Sequence, residues 1–304
     1  MKEQVRKYAL ETGFDVCGFA KAEPLEQLRD FYGTFLGEHR QATMAYLRRY
    51  APQRLDPAEL LPGVKTVIGV LVNYFPPELI PAEDNFTVSK YAYGKRYPPY
   101  IKPKLEQLAS FVNSLSQGVS SSVFVDSGPV LEKIWAQRCG IGWQGKHTIV
   151  INRAGGSYFF IGIILTTLEL EPDTAEADHC GNCSRCMEAC PTGAIDRPYE
   201  LDIRRCISYC TLVKNAEMPE EVRAKLGGRI YGCDICQDVC PFNRFAKPTS
   251  HSVFHLSEDL KSMRKKDWLN LTEEQYERMF AGTSLGELGY ERLMRNIRDV
   301  TVRD

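Results

Sequence analysis

Seven cysteines stand in two runs. Cys180, Cys183, Cys186 and Cys190 are spaced x2, x2 and x3 and are followed by Pro191; Cys233, Cys236 and Cys240 are spaced x2 and x3 and are followed by Pro241. This is the spacing of iron–sulfur ligation, in which two short intervals set three thiolates around a compact cube. The fourth thiolate comes from a distant segment, because the last cysteine of one run serves the other cluster. On that pattern Cys180, Cys183, Cys186 and Cys240 hold one 4Fe-4S cluster, and Cys190, Cys233 and Cys236 hold three corners of a second. The missing corner is Cys206 or Cys210, both in Arg205-Cys206-Ile207-Ser208-Tyr209-Cys210, and spacing does not choose between them. Structural zinc also takes four cysteines, but as pairs rather than as an x2-x2-x3-Pro run. The chemistry expected of such an array is transfer of single electrons. Cys17 and Cys139 are isolated and read as buried core cysteines.

The array occupies residues 178–245 of a 304-residue chain, which is long enough for one large domain with a smaller one. The net charge of −1 gives no global basic field, so any nucleic-acid surface has to be a local patch. The size and cysteine spacings do not fit a secreted disulfide scaffold. Residues 1–10 are charged throughout, without the apolar stretch of an export signal. The longest apolar run, 159–165, is too short to span a bilayer. The expected compartment is a reducing cytoplasm, with no membrane association.

Val5, Ala9 and Leu10 suggest a short N-terminal helix stopped at Gly13, followed by a strand over 14–20. Pro24 opens a helix with Leu28, Phe31, Tyr32 and Phe35 on one face. The β-branched run 67–72 reads as a buried strand, and Leu105, Leu108, Phe111, Val112 and Leu115 mark an amphipathic helix. A strand over 122–125 ends at Asp126-Ser127-Gly128-Pro129, with a helix following over 130–138. Residues 148–152 and 157–168 read as a β-hairpin around Ala154-Gly155-Gly156. The expected class is α/β (α+β) with one mixed sheet. No G-x-G-x-x-G after a strand and no Walker sequence is present, which gives nucleotide folds little support. Residues 169–178 read as an acidic linker, and 261–304 as a helical tail with Leu293 and Ile297 among Arg292, Arg295 and Arg298.

Further segments surround the cysteines: Cys190-Pro-Thr-Gly-Ala-Ile195, Arg229-Ile-Tyr-Gly-Cys-Asp-Ile-Cys236, Val125-Asp-Ser-Gly-Pro-Val-Leu131 and Gly140-Ile-Gly-Trp-Gln-Gly-Lys-His147. Together with the runs they resemble the epoxyqueuosine reductase family over residues 54–297. The resemblance implies a mixed-sheet cobalamin-binding domain over 1–172, a ferredoxin-like domain with two 4Fe-4S clusters over 173–250, and a helical segment over 251–304 packed on both. It implies reduction of epoxyqueuosine to queuosine at the wobble position of tRNA, the last step of queuosine synthesis. The partners implied are tRNA carrying epoxyqueuosine and an external low-potential electron donor, with the chain acting as a monomer.

The same resemblance assigns the open ligand to Cys206, beside Cys190, Cys233 and Cys236, and makes Cys210 a non-ligand. It maps a proton donor onto Asp126 and cobalamin contacts onto Arg54, Asp126, Gly145, Lys146, His147, Thr148 and Ser208. Read without it, Asp126 before Ser-Gly-Pro is a turn residue. As an acid it would need its pKa raised by desolvation or a nearby negative charge. His147 is read as a hydrogen-bonding residue rather than a cobalt ligand.

The sequence departs from the family in two places. Family members commonly carry Asp-Tyr-His where Arg96-Tyr97-Pro98 follows Tyr91-Ala92-Tyr93-Gly94-Lys95, so only the tyrosine remains. Longer members end in a helical-repeat extension, and this chain stops at Asp304. Arg204, Arg205, Lys214, Arg223, Lys225, Arg229 and Arg264-Lys265-Lys266 could meet tRNA phosphates, although acidic residues are nearly as numerous in those segments. Two other functions fit parts of the sequence: a soluble dehalogenase-like cobalamin reductase of a small molecule, and a non-enzymatic electron carrier that binds no cobalamin.

Overall fold

The structure, a computed structural model, describes residues 1–213 and 215–301. Four strands, β1 (Val16–Lys21), β2 (Thr66–Asn73), β3 (Ser121–Phe124) and β4 (Phe159–Thr166), form one sheet in the order β1-β2-β4-β3. Its three pairings are all antiparallel. Parallel pairing occurs elsewhere, between Thr87–Val88 and Arg229–Tyr231, so the two senses are divided between sheets and the class is α+β.

Helices α1 (Lys2–Glu11) and α2 (Tyr97–Ser114) cover one face of the sheet. Val5, Ala9, Leu105 and Leu108 meet Phe19, Ile68, Val70 and Ile164 there. On the other face, α3 (Glu132–Arg138) and the helix Arg29–Gly37 bring Trp135, Ala136 and Tyr32 onto Val67, Leu71, Ile163 and Leu165. With both faces covered, β2 is buried from Thr66 to Val72, which explains an apolar run without alternation. The helix expected from Pro24 begins later, as a 3-10 turn Glu26–Leu28 leading into Arg29–Gly37. Its buried residues are Tyr32 and Leu36, while Phe31 is exposed.

Gly18 and Gly69 are partners in the register of β1 and β2. The chain leaving α3 lies directly on them: a Cβ on Gly18 would stand 2.0 Å from the Cys139 carbonyl oxygen, and one on Gly69 3.2 Å from the Cys139 thiol. Cys17 and Cys139 are both buried, on opposite faces of the sheet. Gly18→Ala is therefore expected to overpack this contact and cost roughly 1–3 kcal/mol. An unchanged thermal unfolding midpoint would show that the α3 connection moves aside freely.

The hairpin expected between 148–152 and 157–168 does not form. Val150–Ile151 pairs antiparallel with Trp143–Gln144 instead, and residues 145–149 form the connecting loop. Strand β4 pairs instead with β2 along its whole length on one side and with β3 from Ile163 to Thr166 on the other. Only a single bridge, Asn152 to Gly156, closes the Gly155-Gly156 turn.

Residues 169–178 have no regular structure but are held to α1 and β1 through Asp173. The Asp173 carboxylate accepts two 2.9 Å bonds from Arg6 and one of 3.0 Å from the Phe19 N–H, with Lys2 at 2.6 Å. The C-terminal helices, from Glu258–Ser262 to Tyr290–Thr301, enclose a second core with Phe86, Val88, Ile207, Tyr209, Ile230 and Tyr231. Leu293 and Ile297 point into it. Asn296 is fully buried and donates to the carbonyls of Thr211 and Ile230, both at 2.9 Å. Arg292 and Arg295 donate to the Cys210 carbonyl at 2.9 and 2.8 Å. Cations placed there satisfy the open carbonyl end of the helix Ile207–Leu212. The tail thus fixes the segment that carries Cys206 and Ser208. No helix among the described residues is long and apolar enough to cross a membrane.

Candidate active site

Asp126 follows β3 in a tight turn and has a left-handed backbone, φ 64°. Its N–H donates to Glu132 Oε1 at 2.8 Å, on the first residue of α3. Residue 97 starts α2, and its ring stacks on Phe160 with centroids 4.0 Å apart and planes at 9°. Burial and the adjacent Asp126 carboxylate hold the Tyr97 hydroxyl far above its ordinary range, so it stays protonated as a hydrogen-bond donor. Arg96 turns away to pair with Glu287 at 2.7 Å. Of the altered triplet, the retained tyrosine is the residue coupled electrostatically to Asp126.

Burial raises the Glu132 carboxyl from 4.5 to about 7; the Asp126 N–H opposes the rise and the Asp126 charge adds to it. Lys133 and Arg54 also face this carboxyl. Because its folded value lies above its unfolded one, the stability that Glu132 contributes is complete at low pH and is lost as pH climbs from 4.5 through about 7. Glu132→Gln, followed by chemical unfolding, is expected to lose less stability than the parent between about pH 5 and pH 8. Equal losses would show that Glu132 ionises as it does in the unfolded chain.

Arg54 is buried, with Nη1 3.4 Å from the Val130 carbonyl and a Nε that has no partner. It sits over the Tyr46 ring at 5.6 Å. The unsatisfied Nε, together with unpartnered Oε1 atoms of Gln41 and Gln53, leaves polar groups suited to an amide-fringed cofactor.

Gly145, Lys146, His147 and Thr148 form the loop between Trp143–Gln144 and Val150–Ile151. A Cβ on Gly145 would meet Ile151 at 2.6 Å, and Thr148 is left-handed at φ 64°. Lys146 donates to the carbonyls of Gly181 and Cys183 at 2.6 and 3.0 Å, so its ammonium ties down the first cysteine run rather than the Asp126 turn. His147 is buried, and its Nδ1 accepts from the Ile149 N–H at 3.2 Å. Its proton is therefore on Nε2, which has no partner.

His147, with its Nε2 unpartnered, lines two cavities. One is walled by Cys180, Cys183, Cys186 and Cys240. The other, of about 230 Å³, is walled by Cys190, Cys206, Cys233 and Cys236, together with Lys133, Thr148 and Ser208. Cys210 lines neither; it is fully buried and its thiol donates to the Arg204 carbonyl at 3.4 Å. Among the described residues, no three or more His, Cys, Asp or Glu side chains form a single-ion site. Burial pushes the Cys190 thiol up, but the Thr192 hydroxyl and the N–H groups of Thr192, Ala194 and Ile195 outweigh it, and the net shift is downward. The Trp143 N–H likewise opposes the upward push of burial on Cys180. Orphan buried donors and N–H groups aimed at sulfur fit an anionic iron–sulfur group.

Glu132 and Lys133 were not singled out by the sequence reading. Their signal was their place in the first turn of the helix after Asp-Ser-Gly-Pro, where side chains reach back toward the preceding loop. Most of the cations considered for phosphate are engaged locally. Arg204 pairs with Asp202 at 2.7 Å, Arg205 with Glu221 at 3.8 Å, and Arg223 with Glu220 and Asp299, both at 3.1 Å. Arg229 and Arg264 donate to neighbouring carbonyls. Lys214 lies outside the described residues.

Residues 54–127 match a family described as epoxyqueuosine reductase QueG, DUF1730, and residues 179–243 match a 4Fe-4S double cluster binding domain. The epoxyqueuosine reductase of Leadbetterella byssophila is 41% identical over 295 residues, covering 97% of this chain and 96% of that protein. That of Escherichia coli is 34% identical over 302 residues, covering 98% and 79%. A crystal structure of epoxyqueuosine reductase with an epoxyqueuosine-modified tRNA-Tyr stem loop superposes with a TM-score of 0.89 at 28% identity, covering 98% of this chain and 80% of that one. The Streptococcus thermophilus enzyme gives 0.87 at 30% identity, covering 99% and 80%. With relatives this similar along nearly its whole length, the chain is a reductase and belongs to the epoxyqueuosine reductase family.

Proposed function

We propose that this chain reduces epoxyqueuosine in tRNA to queuosine, with cobalamin beside Asp126 and a 4Fe-4S cluster in each cysteine cavity. The observation that carries the reading is the pair of adjoining cavities, each walled by four cysteines, one of them shared with Thr148 and Ser208. The working units are taken as 1–172, 173–250 and 251–304. The tRNA substrate is supported by the stem loop held in the related crystal structure.

Removing the epoxide oxygen as water takes two electrons and two protons. Bound cobalamin supplies a reduced cobalt centre for the hard step, and the protein supplies binding and orientation. Asp126 would give a proton to the leaving oxygen. Glu132 holds its backbone, and Tyr97, fixed by Phe160, offers a hydroxyl beside it. Arg54 and the loop 145–148 would contact the cofactor. Cys206 would complete the second ligand set with Cys190, Cys233 and Cys236, and His147 Nε2 would be free to donate to a sulfur of either set.

The test is anaerobic turnover of epoxyqueuosine-containing tRNA with a strong reductant, with and without cobalamin, followed by mass spectrometry of the nucleosides. Cobalamin-dependent loss of one oxygen is expected. Failure in protein that holds both clusters and cobalamin would point to a different acceptor, with Arg96-Tyr97-Pro98 the first place to look.

A further inference from the structure

The two cysteine cavities differ in their outlook. The one walled by Cys190, Cys206, Cys233 and Cys236 includes Lys133, the neighbour of Glu132, and so lies toward the Asp126 turn. The one walled by Cys180, Cys183, Cys186 and Cys240 shares Arg185, Cys240 and Pro241 with an open surface basin of about 1000 Å³. Electron tunnelling falls steeply with distance. An outside reductant seated in this basin would stand against the wall of the cavity remote from Asp126, with a thiol ligand position forming part of that wall.

The basin also has the composition of a docking surface. Phe75, Leu79 and Val239 give it apolar lining, and Leu79 is 54% exposed. Arg185 and Arg244 are exposed cations in the same lining. The Arg244 guanidinium lies over the exposed Phe245 ring at 4.6 Å. Asp238 is paired with Lys90 at 2.6 Å; Glu188 accepts from Ser184 and keeps its charge, so Arg185 and Arg244 leave the basin net positive by one. Arginine and aromatic residues around an apolar centre are enriched at interfaces, and transient redox complexes use small ones.

We propose that this basin docks a small acidic one-electron carrier protein of the ferredoxin class, which loads electrons singly into the group held by Cys180, Cys183, Cys186 and Cys240. The proposal rests on the cluster reading above. Each encounter oxidises the carrier by one electron and reduces the cluster by one; no covalent bond forms or breaks.

The probe is a reduced, strongly acidic plant-type ferredoxin, mixed anaerobically by stopped flow with iron-loaded protein and followed by bleaching of the clusters. Arg185→Glu with Arg244→Glu is expected to lower the second-order rate constant roughly tenfold or more at low salt and to reverse its salt dependence, since added salt then screens repulsion instead of attraction. Arg244→Glu alone, away from the cysteine runs, should show the same effect in smaller measure. Reduction by a neutral deazaflavin radical should be unchanged in Arg244→Glu, whose side chain is not part of the cysteine cavity wall. A full ferredoxin rate in both variants would overturn the proposal. Absence of iron from the first cavity in the parent protein would overturn it together with the reading it rests on.

Discussion

Asp126→Asn is expected to slow epoxide reduction by roughly 10²–10⁴-fold, the usual size of a general-acid contribution. Iron and cobalamin contents should not change. The substitution keeps the side-chain volume and the turn: asparagine also tolerates the left-handed conformation that residue 126 adopts at φ 64°. The N–H that donates to Glu132 is a backbone group and survives. What disappears is the transferable proton. Single-turnover reduction of modified tRNA, with both cofactors quantified in the same sample, separates the outcomes. A full rate would remove Asp126 from the acid role and leave it as a turn residue; a slow rate with lost cobalamin would make it a binding group instead.

Cys206→Ala is expected to remove one of the two clusters, about half of the bound iron, and to abolish turnover, because electrons could no longer cross between the cavities. Cys210→Ala should keep both clusters. The two thiols lie four residues apart but face differently. Cys206 lines the cavity with Cys190, Cys233 and Cys236, whereas Cys210 turns toward the Arg204 carbonyl. Behind Cys210, Arg292 and Arg295 close on its carbonyl and leave the thiol sealed in the C-terminal core. Iron analysis with electron paramagnetic resonance of the reduced variants checks this. Iron retained in Cys206→Ala and lost in Cys210→Ala would exchange the two assignments.

Much of this architecture was legible before folding was considered. The cysteine runs announce their chemistry because the x2 and x3 intervals are themselves ligand geometry. The run 67–72 reads as a buried strand because its lack of alternation reports cover on both faces. The Asp126 turn was legible too, since Asp-Ser-Gly-Pro favours a sharp reversal whatever the carboxyl then does. The partner of Val150–Ile151 was not, because a strand pattern states which side chains are buried and not which edge is free. The resemblance maps a cofactor contact onto Lys146; that its ammonium also reaches the Gly181 and Cys183 carbonyls was not legible, because those groups lie 35 and 37 residues away in the chain. Arg204, Arg205 and Arg223 looked available for phosphate, but each is paired with a carboxylate.

The division follows the range of the forces involved. Sequence by itself determined what is set within a few residues: the thiolate spacing, the turn at Asp126, the apolar period of α2 and the unbroken apolar run of β2. Tertiary structure alone decided which distant groups share one space. It chose Cys206 over Cys210 for the cavity wall, set Glu132 under the Asp126 N–H, stacked Tyr97 on Phe160, and engaged most of the candidate cations. Those outcomes depend on competition for burial and for hydrogen-bond partners across the whole chain, and no short stretch of residues records who wins it.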